Sequence, residues 1–127
     1  MALAQEPGGY LARVAKDSPD ELLEALQRAE QLFLEGVLSA EEIEPAAMIL
    51  HGPEVAIFLR ENYAEHSELV DLAARLSALQ VIDLRVCETR LDVMDSDRSG
   101  LYPFVGTVPF GPRAVNDLLE KKGYVYF

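Results

Sequence analysis

The sequence predicts an α/β fold, a three-layer α/β/α domain with a largely parallel sheet of about five strands. Short apolar segments alternate along the chain with longer segments of helical periodicity, which is the pattern of strands joined by helical crossovers. The 127 residues, half of them hydrophobic, suffice for one ordinary core, and no linker, repeat or low-complexity run divides them. We therefore expect a single domain over residues 1–127, with residues 1–8 frayed.

The first elements are a strand and a well-punctuated helix. Residues 9–16, GYLARVAK, mix apolar and polar side chains as a strand does. Residues 17–36 predict a helix, because Ser18 and Glu21 have capping-box spacing, a proline occupies the first helical position, and Gly36 suits the end.

A buried strand and two helices are expected next, after an acidic connector. Residues 45–52, PAAMILHG, form a short apolar run that suits a strand covered on both faces. Residues 53–63 begin with proline and predict a helix, and residues 67–79 predict another from their one-sided leucines. Residues 80–88, QVIDLRVCE, return to a strand.

The last third predicts a loop, two strands and a closing helix. Residues 91–104 are polar at their centre and indicate a loop, or a short helix that turns into one. Residues 105–110 and 124–127 have the character of short strands. Residues 112–123 predict a helix with Lys121 and Lys122 in its last turn and a glycine as its stop.

The third predicted strand carries charge on one face. Alternation places Val81, Asp83, Arg85 and Cys87 on one side and Ile82, Leu84 and Val86 on the other. A strand buried on both faces would not carry Asp83 and Arg85 together, so this face meets solvent, a partner subunit or a pocket, or else the strand lies at an edge with one wet face.

Net charge excludes several partners. Eleven basic against 22 acidic residues give a net charge of −11, which opposes nucleic-acid binding and repels an anionic membrane surface. No signal-peptide pattern and no apolar run of membrane-spanning length is present, so the cytoplasm is the expected location. A single cysteine forms no internal disulfide, in agreement with a reducing compartment.

Cys87 is the candidate nucleophile. It ends the third strand, at the edge of a parallel sheet where ligands usually bind. Arg85 and Arg90 would favour its thiolate, whereas Glu88 and Asp92 would oppose it. Residue type alone favours a structural role for Cys87, because free cysteine is among the most buried residues.

His51 ends the second strand and is expected at the same edge as Cys87, where it would act as an acid, a base or a cation beside a thiolate, or would simply bond to a backbone carbonyl. His66 is expected to be solvated between two helices. The two histidines and the cysteine lack metal-ligand spacing, so we expect no metal site.

The loop DSDRSG matches only the first half of a calcium loop, through Asp95, Asp97, Ser99 and Gly100. The twelfth position, where calcium loops carry a bidentate glutamate, is Gly106, so a solvated turn is expected. Dinucleotide, P-loop and serine-hydrolase motifs are absent from the sequence, and no cofactor is expected.

The chain resembles the DsrE/DsrF-like family of small sulfur-relay proteins, which includes the Tus sulfur-transfer subunits. The resemblance spans residues 10–127 and rests on the order of four segments rather than on any one of them. These are DSPDELLEALQRAEQLF, MILHGPEVAIFLREN, VIDLRVCETRL and VGTVPFGPRAVNDLLEKKGYVYF.

The resemblance implies a sulfur carrier or sulfurtransferase. In sulfur-relay members a cysteine after the third or fourth strand accepts sulfane sulfur as a persulfide and passes it to a partner thiol, and VCETRL places Cys87 at that position. Sulfur donor and acceptor proteins and a homo-oligomer, trimeric or hexameric, are implied as well. Arg85, Arg90 and His51 would then tune the thiolate. The competing expectation is a non-catalytic oligomeric or small-ligand-binding domain in which Cys87 is structural.

Overall fold

The computed structural model describes residues 8–13, 18–36 and 45–127, and within them five strands form one sheet. The strands are β1 (Gly9–Leu11), β2 (Ala46–Leu50), β3 (Ile82–Cys87), β4 (Gly106–Val108) and β5 (Tyr124–Tyr126). Their order is β4-β3-β2-β1-β5, and every neighbouring pair is parallel. The predicted α/β class with a parallel sheet is therefore confirmed.

The helices of the described residues are α1 (Pro19–Leu34), α2 (Tyr63–Ala78), α3 (Glu88–Val93) and α4 (Gly111–Glu120). The beginning and end of α1 follow the sequence signals. The Ser18 hydroxyl accepts a hydrogen bond from the Glu21 N–H at 3.3 Å, which satisfies one of the free donors of the first turn. Gly36 follows the helix with a φ of +81°, a conformation that glycine adopts without strain.

Connection handedness explains why the helices form two layers. The steps from β1 to β2, β3 and β4 all move in one direction across the sheet, and right-handed crossovers place their helices on one face. The step from β4 to β5 runs back across the whole sheet, so α4 lies on the opposite face. The result is a three-layer α/β/α arrangement.

Packing on the two faces is unequal. The larger core lies under α1 and α2 and includes Leu26, Met48, Ala73 and Leu84, which are at most 1 % exposed. A smaller cluster lies under α4. It consists of Leu11, Ala47 and Tyr124, with Val115, Leu118 and Leu119 packed against them. Of the helices in the described residues, α4 alone packs on the second face.

The helix predicted for residues 53–63 is wrong. Two short 3₁₀ helices, Pro53–Phe58 and Arg60–Asn62, occupy this segment. They are separated by Leu59, which is extended (φ −81°, ψ 128°) and forms an antiparallel bridge with Leu101. The apolar residues of this segment are nearly contiguous, so one helix face does not bury them, whereas tight 3₁₀ turns around an extended residue do.

Helix α2 begins at Tyr63, four residues before its predicted start. His66 lies at a kink in α2, where the backbone is non-helical (φ −134°, ψ 26°), so it stands between a short first turn and the longer helical stretch that follows, in agreement with its predicted position between two helices. The Asn62 amide donates to the Ala56 carbonyl at 2.9 Å, which attaches the start of α2 to the preceding 3₁₀ segment.

The remaining predicted elements differ at their ends. Helix α4 ends at Glu120, so Lys121 and Lys122 follow the helix, and Gly123 has a φ of +70°. Three predicted segments lie outside the described residues. They are the frayed start (residues 1–7 of the predicted 1–8), the end of the predicted strand 9–16 (residues 14–16) and the acidic connector (residues 37–44). Among the helices that are described, none is both long and apolar enough to cross a membrane.

Candidate functional site

His51 and Cys87 lie side by side at the ends of neighbouring strands. Sequence left open whether the second and third strands are adjacent, and the structure pairs β2 with β3, Leu50 opposite Val86. His51 and Cys87 are the next residues along each strand. In-register residues of parallel strands point to the same face, so both side chains point toward the side of the sheet that carries α4.

The end of β3 is a topological switch point. The chain leaves β3 into α3, whose Leu91 belongs to the core under α1 and α2, whereas it leaves β4 into α4 on the opposite face. Adjacent strands whose connections diverge in this way open a crevice at their carboxyl ends, which is where open α/β sheets bind ligands. Cys87 pairs with Val108 across this point.

Gly111, the first residue of α4, contacts both candidate residues. A Cβ atom at this position would lie 2.5 Å from Cβ of His51 and 3.3 Å from Cβ of Cys87. Only a residue without a side chain lets the start of α4 approach the two strand ends so closely. The amino-terminal end of a ten-residue helix, with its partial positive charge, is thereby placed against Cys87.

Glu88 attaches the start of α3 to β4. Its Oε1 accepts hydrogen bonds from the Thr107 hydroxyl at 2.8 Å and from the Arg98 guanidinium at 2.6 Å. The hydrogen bond from Thr107, together with that from Arg98, lowers the pKa of Glu88 below its ordinary value, because both favour the ionised form. The carboxylate that follows Cys87 is therefore held by two donors on neighbouring elements.

The next two residues of α3 also bind neighbouring elements. The Thr89 hydroxyl donates to the Pro109 carbonyl at 3.0 Å, and Nε of Arg90 donates to the His51 carbonyl at 3.2 Å. The first bond holds the connection between β4 and α4, and the second holds the end of β2. The first turn of α3 thus fixes the backbone on both sides of Cys87.

Arg85 is directed to a carboxylate on its own strand. Its guanidinium contacts Asp83 through Nη2 at 3.1 Å and through Nε at 3.2 Å, and both side chains are about half exposed. The edge-strand explanation for this charged face is wrong, because β3 pairs with β2 on one side and with β4 on the other. The two residues instead line a groove beside α4.

Cys87 is a free cysteine and is 3 % exposed. Its backbone is extended (φ −74°, ψ 121°) at the cap position of α3. The adjacent connection from β4 to α4 carries Phe110, which is 51 % exposed. An exposed apolar residue therefore directly precedes Gly111, the residue that contacts Cys87.

Metal ligation finds no support in the part of the chain that is described, where no cluster of three His, Cys, Asp or Glu side chains is suitably placed. In the loop DSDRSG, Oδ1 of Asp97 accepts a hydrogen bond from the Ser99 N–H at 2.9 Å and caps a short 3₁₀ turn. The Asp97 side chain thus stabilises the turn by this hydrogen bond.

Sequence reasoning missed the residues that surround Cys87 from other elements. Gly111 was visible only as a turn residue before Pro112, and the roles of Glu88 and Thr89 depend on β4 lying beside β3. A glycine directly before a helix-starting proline, following a short strand, was the one available signal.

Comparison with known proteins yields a likeness in fold. No protein-family model matches the sequence, and no curated protein matches it. Among solved structures, the chain is similar to a protein of unknown function, MTH1491, from Methanobacterium thermoautotrophicum, with a TM-score of 0.69 and 15 % sequence identity over 93 % of this chain and 97 % of that one. At this identity the similarity shows the fold alone, and it supports the α/β architecture described above.

Proposed function

We propose that the protein is a sulfur carrier that accepts sulfane sulfur on Cys87 as a persulfide and passes it to a partner thiol. The observation that carries the proposal is the position of Cys87 at the switch point of the sheet, beside His51 and the start of α4. It is also the only cysteine of the sequence, so any sulfur bound by a thiol is bound there.

The surroundings of Cys87 favour a negatively charged sulfur. Thiolates and persulfide anions are stabilised by helix amino termini and nearby cations. The approach of Gly111 brings the start of α4 to Cβ of Cys87, and Arg90 is bound to the neighbouring His51 backbone. These contacts place a helix amino terminus beside the sulfur that would carry negative charge during the exchange.

Transfer proceeds by two exchange steps that balance without an oxidant. The Cys87 thiolate attacks the outer sulfur of a donor persulfide, the donor S–S bond breaks, and the donor thiolate leaves with the electron pair. An acceptor thiolate then attacks the outer sulfur on Cys87, and the Cys87 thiolate leaves. One cysteine suffices, because sulfur arrives and departs by exchange with other molecules.

Exchange at Cys87 requires a local opening. At 3 % exposure its sulfur is shielded from a second thiol, and the β4–α4 connection held by Thr89 is the adjacent segment. Such openings are ordinary fluctuations of native proteins. A docked donor would favour the open form through contacts with the exposed Phe110.

The expected partners follow from the family resemblance: a homo-oligomer, trimeric or hexameric, and donor and acceptor proteins in the cytoplasm. Light scattering on the purified protein at micromolar concentration tests the assembly. A strict monomer would remove this part of the proposal.

Intact-mass measurement tests the function. The protein is incubated with a persulfidated donor, desalted and weighed, and we expect a gain of about 32 Da, one sulfur atom, on the wild type and none on Cys87→Ser. Subsequent incubation with an acceptor thiol removes the added mass. Absence of the gain on the wild type, or equal loading of Cys87→Ser, would overturn the proposal.

A second function is favoured by the burial of Cys87. An exposure of 3 % is typical of a cysteine with a structural role. The chain would then be a non-catalytic oligomeric or small-ligand-binding domain. Alkylation separates the two. A Cys87 that reacts in the native state much faster than complete unfolding allows supports the carrier, and one that reacts only on unfolding supports the structural role.

A further inference from the structure

A groove of about 300 Å³ lies between α4 and the part of the sheet that α4 leaves uncovered. Its floor includes Ala47 and Ile49 of β2 and Val108 of β4, and its wall includes Ala114 and Leu118 of α4. Among the described elements, α4 alone crosses this face of the five-stranded sheet, on its way from β4 to β5, and the groove lies beside it. Its volume is at the lower end of the range for small-ligand sites.

The charges that line the groove balance one another, whereas the whole chain is strongly acidic. Asp83 and Arg85 line it as a pair, and Asp117, also lining it, is bound by Lys121 at 3.4 Å. Lys122 lines it too, and its ammonium has no ion-pair partner among the residues that are described. The lining thus carries two cations, Arg85 and Lys122, and two carboxylates, Asp83 and Asp117, in a chain whose net charge is −11.

We propose that this groove binds a small organic anion, a monocarboxylate with an apolar body. The carboxylate is bound by Lys122, the groove cation that forms no ion pair with any residue that the structure describes. The apolar body lies over Ile49 and Val108. The proposal is independent of sulfur transfer, since it uses neither Cys87 nor His51.

Both parts of the ligand contribute in a measurable way. Each methylene group buried on the apolar floor strengthens binding about fourfold, so affinity rises with chain length until the groove is filled. The contact with Lys122 is partly exposed to water, and its removal weakens binding about fivefold. An ammonium in place of the carboxylate is repelled by Lys122, so an amine of equal length binds still more weakly.

Methyl-labelled NMR on the full chain tests this inference with three probes of equal length: hexanoate, hexanamide and hexylamine. Hexanoate is expected to shift the methyl signals of Ile49, Val108 and Leu118, while the core leucines Leu22 and Leu26, on the far side of the sheet, stay unchanged. The amide should bind more weakly and the amine weakest. Equal binding of the three probes, or no shift at the groove methyls, would overturn the proposal.

Two matched variants test whether Lys122 is the cation that binds the carboxylate of hexanoate. Lys122→Gln should weaken hexanoate binding about fivefold and leave hexanamide binding unchanged. Arg75→Gln is the control, because Arg75 is an exposed cation on α2, across the sheet from the groove. A loss of the same size in both variants would show a general charge effect and would contradict binding by Lys122.

Discussion

Gly111 packs against His51 so closely that a Cβ atom on the glycine would lie 2.5 Å from Cβ of the histidine. This contact joins the start of α4 to the end of β2 over Cys87. Position 111 therefore leaves no room for a side chain, and the first prediction follows from this restriction.

Gly111→Ala should destabilise the protein by about 1–3 kcal/mol, because the added methyl group forces His51 or the start of α4 to move. The free energy of unfolding in urea measures the loss. Gly100→Ala is the control, since its Cβ would meet only Leu59, at an ordinary distance of 3.4 Å. Equal stability of the two variants would contradict the packing described at Gly111.

Thr89→Val should speed the alkylation of Cys87 in the native protein about fivefold. The substitution removes the hydrogen bond to the Pro109 carbonyl, worth about 1 kcal/mol, and so raises the population in which the β4–α4 connection is open. Reaction with iodoacetamide under native conditions gives the rate. Tyr63→Phe serves as the control, because it removes an exposed hydrogen bond to Asp71 in α2. Unchanged reactivity in Thr89→Val would show that this connection does not limit access.

The hydrogen bonds of Glu88 should stabilise the folded protein at neutral pH and lose this effect in acid. Its pKa is lowered in the folded protein, first by the hydrogen bond from Thr107, so its contribution is present above the ordinary pKa of a glutamate and is lost as pH falls through the lower folded value. Urea titrations of wild type and Glu88→Gln should differ at neutral pH and converge in acid. A difference that persists unchanged in strong acid would contradict the assigned bonds.

Leu84→Ala should cost about 2–5 kcal/mol, because Leu84 is 1 % exposed at the centre of β3 and its loss leaves a cavity in the larger core. Leu79→Ala, at a leucine that is 49 % exposed, should change stability by less than about 0.5 kcal/mol. Thermal or urea unfolding compares the two. A small effect at Leu84 would mean that the core beneath α2 is looser than described.

Local signals predicted much of the fold. The capping pair Ser18 and Glu21 identified the start of α1 because both residues act within one turn of the chain. The strand ends likewise placed His51 and Cys87 at one edge, since all parallel strands share that edge. What was missed depends on distant neighbours: Leu59 is extended because of Leu101, and Gly111 reaches Cys87 only because α4 returns across the sheet.

The same return of the chain has a kinetic consequence. β1 pairs with β5, Gly9 opposite Tyr124, so this pairing closes nearly the whole described chain into one loop. Contacts between residues so distant in sequence are costly in entropy until the intervening elements are in place. We expect β5 to join last, and until it does the outer edge of β1 is open, so the nearly complete protein passes through a stage in which another strand could pair where β5 belongs.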